Sequence, residues 1–297
     1  MKIRRQKRNL AALALLLVCL MLMGLAGCSG NPSATAGPNP TPTAPAENTP
    51  KPVEPTLTPE PTPEATSGAT PDPTDAPSIP GLDTSIDTNS PAFLHETEDA
   101  GQEYIDKIIF LGDSTTYGLR HYGMLSGGED TLQVWTPASG TLTLSYQSVA
   151  TIVYPEDGSE ITIKEAVERK KPEIMVITLG VNGVSFMDEA SFKREYTDLV
   201  ETIKSVSPGT KIILQSIFPV AASYEYLSSI NNEKILEANR WVLDVAQATG
   251  VKYLNTISVL LGEDGWLPED YHNGDGIHLN PDSFTLVLNY IRTHAYK

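Results

Sequence analysis

From Lys107 onward, short runs rich in branched aliphatic residues alternate with longer amphipathic stretches. This alternation limits the fold more than any other feature of the chain. Strands are expected at Lys107–Leu111, Leu132–Thr136, Glu173–Leu179, Lys211–Phe218 and Val251–Asn255. Between the third and fourth, Phe192, Tyr196, Leu199, Val200, Ile203 and Val206 recur at helical spacing, with Ser191 as the expected N-cap and Pro208-Gly209 as the stop. A second helix is expected over Asn231–Thr249, with Gly250 as its C-terminal glycine. A last one opens at Asn280-Pro281, a cap followed by a first-turn proline. Such alternation predicts an α/β fold, a parallel sheet with helices on both faces. One piece departs from the pattern. Thr151–Tyr154 and Ile161–Ile163, joined through Pro155-Glu156-Asp157-Gly158, predict a β-hairpin inserted before a helix over Lys164–Lys171.

The N-terminal third cannot contribute to that core. Residues 1–27 carry Lys2, Arg4, Arg5, Lys7 and Arg8, then an apolar run from Leu10 to Leu22. A charged segment followed by so short an apolar one is the pattern of an export signal. It ends in Leu25-Ala26-Gly27-Cys28, which resembles the lipobox of bacterial lipoproteins. That resemblance implies cleavage before Cys28, lipid on its thiol, and a membrane-anchored protein on the extracytoplasmic face. The other cysteine, Cys19, would leave with the signal, so the domain would hold no disulfide, thiolate metal site or cysteine nucleophile.

Residues 28–92 form the expected tether. Sixteen of the 23 prolines fall between Pro32 and Pro91, amid Thr, Ala, Glu and Ser, with too little apolar content to bury a core. Fully extended at ~3.1 Å per residue, such a segment reaches roughly 200 Å. Residues 93–297 are then a single domain. Loss of the leader's five positive charges takes the net charge from −16 to −21, which makes nucleic acid an unfavourable partner.

The chemistry lies at the two ends of this domain. Gly112-Asp113-Ser114 follows the first expected strand, and Asp275-Gly276-Ile277-His278 precedes the last helix. A serine hydroxyl is a poor nucleophile until an imidazole takes its proton, and the imidazole needs a carboxylate to set its tautomer. Ser114, His278 and Asp275 supply those parts. The expected oxyanion donors are the N–H groups of Ser114 and Gly140 and the side-chain amide of Asn182. Ser114, Ser139-Gly140 and Gly180–Gly183 each follow a strand, so all three loops should open on one sheet edge.

In this order the residues resemble the SGNH (GDSL-like) hydrolase superfamily. Its four blocks are matched by Ser114, Gly140, Asn182, and Asp275 with His278. The resemblance spans Lys107 to the final helix. It implies a flavodoxin-like three-layer α/β/α sandwich on a mostly parallel five-stranded sheet. It also implies esterase, lipase or acyltransferase activity with no metal and no cofactor. Gly183 stands where that family usually has aspartate. The expected function is hydrolysis of short-chain, acetyl esters on cell-wall or other glycans. An O-acyltransferase and an inactive glycan-binding module are the alternatives. His272 is the rival base, and Asp113 is expected to stabilise a turn. Trp266, Tyr271 and the Tyr224/Tyr226 pair lie in loops of the expected active edge, where loop packing competes with a sugar platform.

Overall fold

The structure, a computed structural model, describes residues 82–297. The expected export signal, the lipidation site at Cys28 and the tether as far as residue 81 lie outside the described residues. In chain order the elements are α1 (Gln102–Ile105), β1 (Ile108–Gly112), α2 (Ser114–His121), β2 (Val134–Trp135), β3 (Thr151–Val153), β4 (Glu160–Thr162) and α3 (Ile163–Lys170). They continue with β5 (Ile174–Thr178), α4 (Glu189–Val206), β6 (Lys211–Gln215), α5 (Asn232–Thr249), β7 (Lys252–Leu254) and α6 (Pro281–Thr293).

Five strands form one sheet in the order β2-β1-β5-β6-β7, every neighbouring pair parallel. Among these five strands the spatial order is second, first, third, fourth, fifth, the flavodoxin-like arrangement. Successive residues of a strand face opposite ways, so each strand feeds two cores. Ile109, Leu111, Met175, Ile177, Ile212 and Leu214 face the side covered by α3, α4 and α5. Ile108, Phe110, Ile174, Val176 and Ile213 face α2 and α6. With both faces covered, β1 and β5 are buried at every residue. Hence their near-continuous apolar sequences.

Three element boundaries differ from expectation by two residues or more. β6 stops at Gln215 because two asparagines of α5 take over as hydrogen-bond partners. Asn239 accepts from Ile217 N at 2.7 Å and donates to Ile217 O at 3.1 Å. Asn232 does the same at Val220, at 2.8 and 2.9 Å. β2 is only two residues long: the Gln133 amide before it donates to the Ile105 and Ile108 carbonyls at 2.7 and 2.8 Å, and the Thr136 carbonyl after it accepts from Val153 N–H at 3.0 Å. α4 is capped by Asp188, whose Oδ1 accepts from the N–H of Ser191 at 2.7 Å, so the cap lies three residues before the expected Ser191. The expected hairpin forms as the antiparallel pair β3–β4.

The packed domain also begins earlier than residue 93. Leu82 and Ile86 rest on the core, Asp83 pairs with Arg240 at 3.4 Å, and Ser90 Oγ donates to Gln247 at 2.9 Å. Proline content hid two apolar residues spaced to reach the surface of α5. Beyond them, Tyr253 N–H donates to Ala92 O and Leu94 N–H to Tyr253 O, at 2.8 and 2.9 Å, so this segment covers the β7 edge of the sheet.

Candidate active site

The sheet order reverses at β1, and the loops leaving β1 and β5 flank that point, where open α/β sheets place ligands. Ser114 is the first residue of α2, directly behind β1. Its N–H is one of those that a helix leaves without an internal partner. Asp113 caps the helix, its Oδ1 accepting from Thr115 N–H at 3.0 Å and from the Thr115 hydroxyl at 2.7 Å.

His278 arrives from the other end of the chain, two residues before the α6 cap Asn280. What lets α6 lie close to α2 is Gly118, one turn past the serine. A Cβ at that position would stand 2.4 Å from the Phe284 ring. The structure therefore brings Ser114, His278 and Asp275 together. His278 Nε2 lies 2.8 Å from Ser114 Oγ, and His278 Nδ1 lies 2.6 Å from Asp275 Oδ2. With Nδ1–H donated to the carboxylate, Nε2 is left to accept the serine proton.

The loop carrying Asp275 and His278 is held at several points. Asp275 Oδ1 accepts from the N–H groups of Ile277 and His278 at 3.0 and 2.9 Å. Partial burial works to raise the pKa of Asp275. The His278 N–H and ring and the Ile277 N–H outweigh it and hold the carboxyl below its ordinary value. Gly276 takes φ +81°, and a Cβ there would come within 2.8 Å of the Tyr224 backbone. Only glycine lets this loop sit against that segment.

His272, the rival base, supports the loop from behind. It is buried, and its Nδ1 accepts from Gly274 and Gly276 N–H at 2.9 and 3.1 Å. The remaining ring proton is therefore on Nε2, directed at Glu269 Oε2 at 3.0 Å, which also accepts from the Ser223 hydroxyl at 2.8 Å. Both nitrogens are spent, so His272 has no free lone pair for the serine.

Asn182 stands in the loop after β5. Its Nδ2 donates to Asp113 Oδ2 at 2.8 Å, with only a 3.5 Å contact to Leu142 O besides. Asp113 thus caps α2 through one oxygen and aims the Asn182 amide through the other. Sequence reasoning saw the turn and missed the amide. The link joins residues 69 apart, and no local pattern signals it. It also answers the departure at Gly183, since Asn182 is held from β1 instead of from its own neighbour. Burial pushes the Asp113 carboxyl up to about 6, against the opposing effect of the Thr115 and Asn182 hydrogen bonds.

Gly140 lies against Ser114, whose Cβ would stand 3.6 Å from a Cβ added at Gly140. Its N–H, however, donates to Pro137 O at 2.9 Å, closing a turn. Of the three expected donors, the Ser114 N–H is open, the second Asn182 proton has only the long 3.5 Å contact to Leu142 O, and the Gly140 N–H is engaged in this turn. Tyr224 touches the catalytic loop and meets Tyr226 edge to face at 5.7 Å. Tyr271 packs on the core. Sequence reasoning also passed over Tyr117, three residues beyond Ser114 and 45% exposed, although an i, i+3 relation to the serine was readable. Among the described residues, no group of three or more His, Cys, Asp or Glu side chains is gathered as a metal site requires.

Solved structures with similar folds include a Streptococcus pneumonia protein described as a candidate platelet activating factor. It is 18% identical, with 64% of this chain and 84% of that one covered, at TM-score 0.49. A GDSL-like lipase from Bacteroides thetaiotaomicron is 19% identical, with coverage of 66% and 90% and a TM-score of 0.44. A single-site mutant of an acetyl-xylooligosaccharide esterase from Geobacillus Stearmophilus is 17% identical, with coverage of 64% and 94% and a TM-score of 0.39. No curated protein matches the chain. The family of GDSL-like lipases and acylhydrolases matches residues 110–283, more than half of the chain and a span that runs from β1 into the first turn of α6. The chain belongs to the GDSL-like lipase/acylhydrolase family.

Proposed function

We propose that this acylhydrolase is a serine esterase that removes short acyl groups, acetyl foremost, from glycans outside the cytoplasm, anchored through lipid on Cys28. The observation that carries the catalytic part is the unbroken hydrogen-bond line Asp275–His278–Ser114, at 2.6 and 2.8 Å. In the reaction, Ser114 Oγ attacks the ester carbonyl while His278 Nε2 takes its proton. The tetrahedral oxyanion is met by the Ser114 N–H and the Asn182 amide. His278 then returns the proton to the departing alcohol. Water, deprotonated by the same imidazole, releases the acyl group and restores the serine. Asp275 stays ionised throughout and balances the imidazolium.

The anchor and the location rest on the sequence alone: the lipobox-like Leu25–Cys28 and the proline-rich stretch behind it. Hydrolysis of p-nitrophenyl acetate tests the chemistry. Ser114→Ala and His278→Ala should each lower turnover by about 10⁴-fold or more. A loss under tenfold in Ser114→Ala would overturn the assigned nucleophile. Radiolabelled palmitate or glycerol retained by the wild-type chain and lost in Cys28→Ala tests the anchor.

A further inference from the structure

We propose that the cavity beside the nucleophile is a binding subsite for a neutral sugar unit, with Tyr117 and His121 as its stacking floor. This rests on the esterase reading and names the part of the substrate that the catalytic residues leave unspecified. The cavity measures about 670 Å³ and lies between α2, the turn at Glu129-Asp130 and the loop after β2. Gly140, which packs against Ser114, forms part of its wall. An acetyl group would occupy a small fraction of such a space, which is of the size that holds whole small-molecule ligands.

The lining selects the ligand class. Ser114, Tyr117 and His121 are spaced three and four apart along α2, so they share one helical face. The Tyr117 and His121 rings lie near-parallel, with centroids 6.1 Å apart and planes inclined by 26°. They make an open aromatic surface that leads away from the nucleophile. The polar groups around it are unspent. Arg120 Nε donates to Glu129 O at 2.9 Å, and its two terminal nitrogens have no hydrogen-bond or ion-pair partner among the described residues. The Glu129 and Asp130 carboxylates, which share this lining, likewise accept no hydrogen bond from the described residues.

A hydrocarbon chain would cover these groups without offering them a hydrogen-bond partner. An anionic ligand would face two carboxylates against one guanidinium, and a cationic one would pair with the carboxylates but leave the Arg120 donors without an acceptor. Hydroxyl groups donate to Glu129 and Asp130 and accept from Arg120 at once. The C–H face of a sugar ring meets the aromatic floor. A neutral saccharide satisfies every element of the wall.

The test uses the full chain and two substrates, p-nitrophenyl acetate and chemically O-acetylated xylotriose. The readout is the ratio of their kcat/KM values. Tyr117→Ala should lower the ratio about tenfold, mainly through KM for the saccharide, and Tyr117→Phe should restore most of it. Glu129→Gln combined with Asp130→Asn should lower it severalfold. In a second arm, calorimetry measures unmodified xylotriose and cellotriose binding to Ser114→Ala protein, with and without Tyr117→Ala. Saturable binding that weakens about tenfold with Tyr117→Ala supports the subsite whatever the turnover. Ratios within twofold of wild type, together with no saturable binding, overturn it. Failure of the esterase reading shows separately, as p-nitrophenyl acetate hydrolysis that survives Ser114→Ala.

Discussion

Asp113 shows how a single residue can hold two elements of a site at the expense of stability. Its carboxylate is fully buried, and the Asn182 amide hangs on one of its oxygens. Asp113→Asn would keep an acceptor for Thr115 and set an NH₂ group against that of Asn182. Two donors repel, so the amide turns away from the oxyanion. Losing one such donor corresponds to about 3–4 kcal/mol in the barrier, and kcat should fall by ~10²–10³-fold. Asn182→Ala should give a loss of the same size, and the double variant little more than either alone. Stability should move the opposite way. Because the folded-state pKa of Asp113, about 6, lies above the ordinary 3.8, folding is favoured by the protonated form. That contribution is complete below the ordinary value and is lost as pH rises through about 6. The variant escapes this loss, so its melting temperature should gain on that of the wild type between about pH 4 and 6 and hold level above, in thermal melts of both proteins.

At the scale of elements, the loop 273–278 is held from within by Asp275 and from behind by His272. His272 gives it two backbone anchors as a neutral acceptor, and Glu269 fixes that tautomer. His272→Leu should reduce kcat about 10–100-fold with little change in KM for a small ester. His272→Asn, which keeps an acceptor near Nδ1, should recover part of it. The junction of β6 and α5 works by the same means. Asn239→Ala would strip the Ile217 N–H and C=O of their partners inside the core, a cost of roughly 2–4 kcal/mol. Urea unfolding should show that loss with the slope unchanged. Neither set of links was legible in advance. Asn239 sits among apolar residues of an amphipathic helix, and the expected strand, Lys211–Phe218, holds no glycine or proline to mark an earlier end. Nothing local announces that the two meet.

On the scale of the whole molecule, two features set what the site admits and how the fold is sealed. The chain carries a formal charge of −16, so an approaching anion is repelled before contact. Turnover of a carboxylate-bearing ester should rise with ionic strength, and that of its neutral methyl ester should stay nearly flat. A stopped-time assay of both across a salt series would check this. The second feature is the segment 82–94, which covers the β7 edge and lays Leu82 and Ile86 on the core. A chain beginning at residue 95 should melt several degrees below one beginning at residue 82 and should associate through the bared strand. Light scattering alongside the melts would separate those two effects.

Sequence alone determined the layered α/β architecture, because strand and helix periods are local and each apolar run must bury its own face. It also singled out Ser114, Asp275 and His278, which lie within hydrogen-bond reach in the structure, since a serine behind a strand and an aspartate three residues before a histidine are short-range patterns. Only the tertiary structure decided which groups hold them. Asp113 meets Asn182 across 69 residues, His272 spends its lone pair on the loop and is excluded as a base, and Gly140 turns its N–H to Pro137. A hydrogen bond is directional and satisfied within about 3 Å, and the chain order of its partners says nothing about that distance. Burial, which pushes Asp113 up to about 6, is likewise a property of everything packed around the residue, so it exists only once the fold is complete.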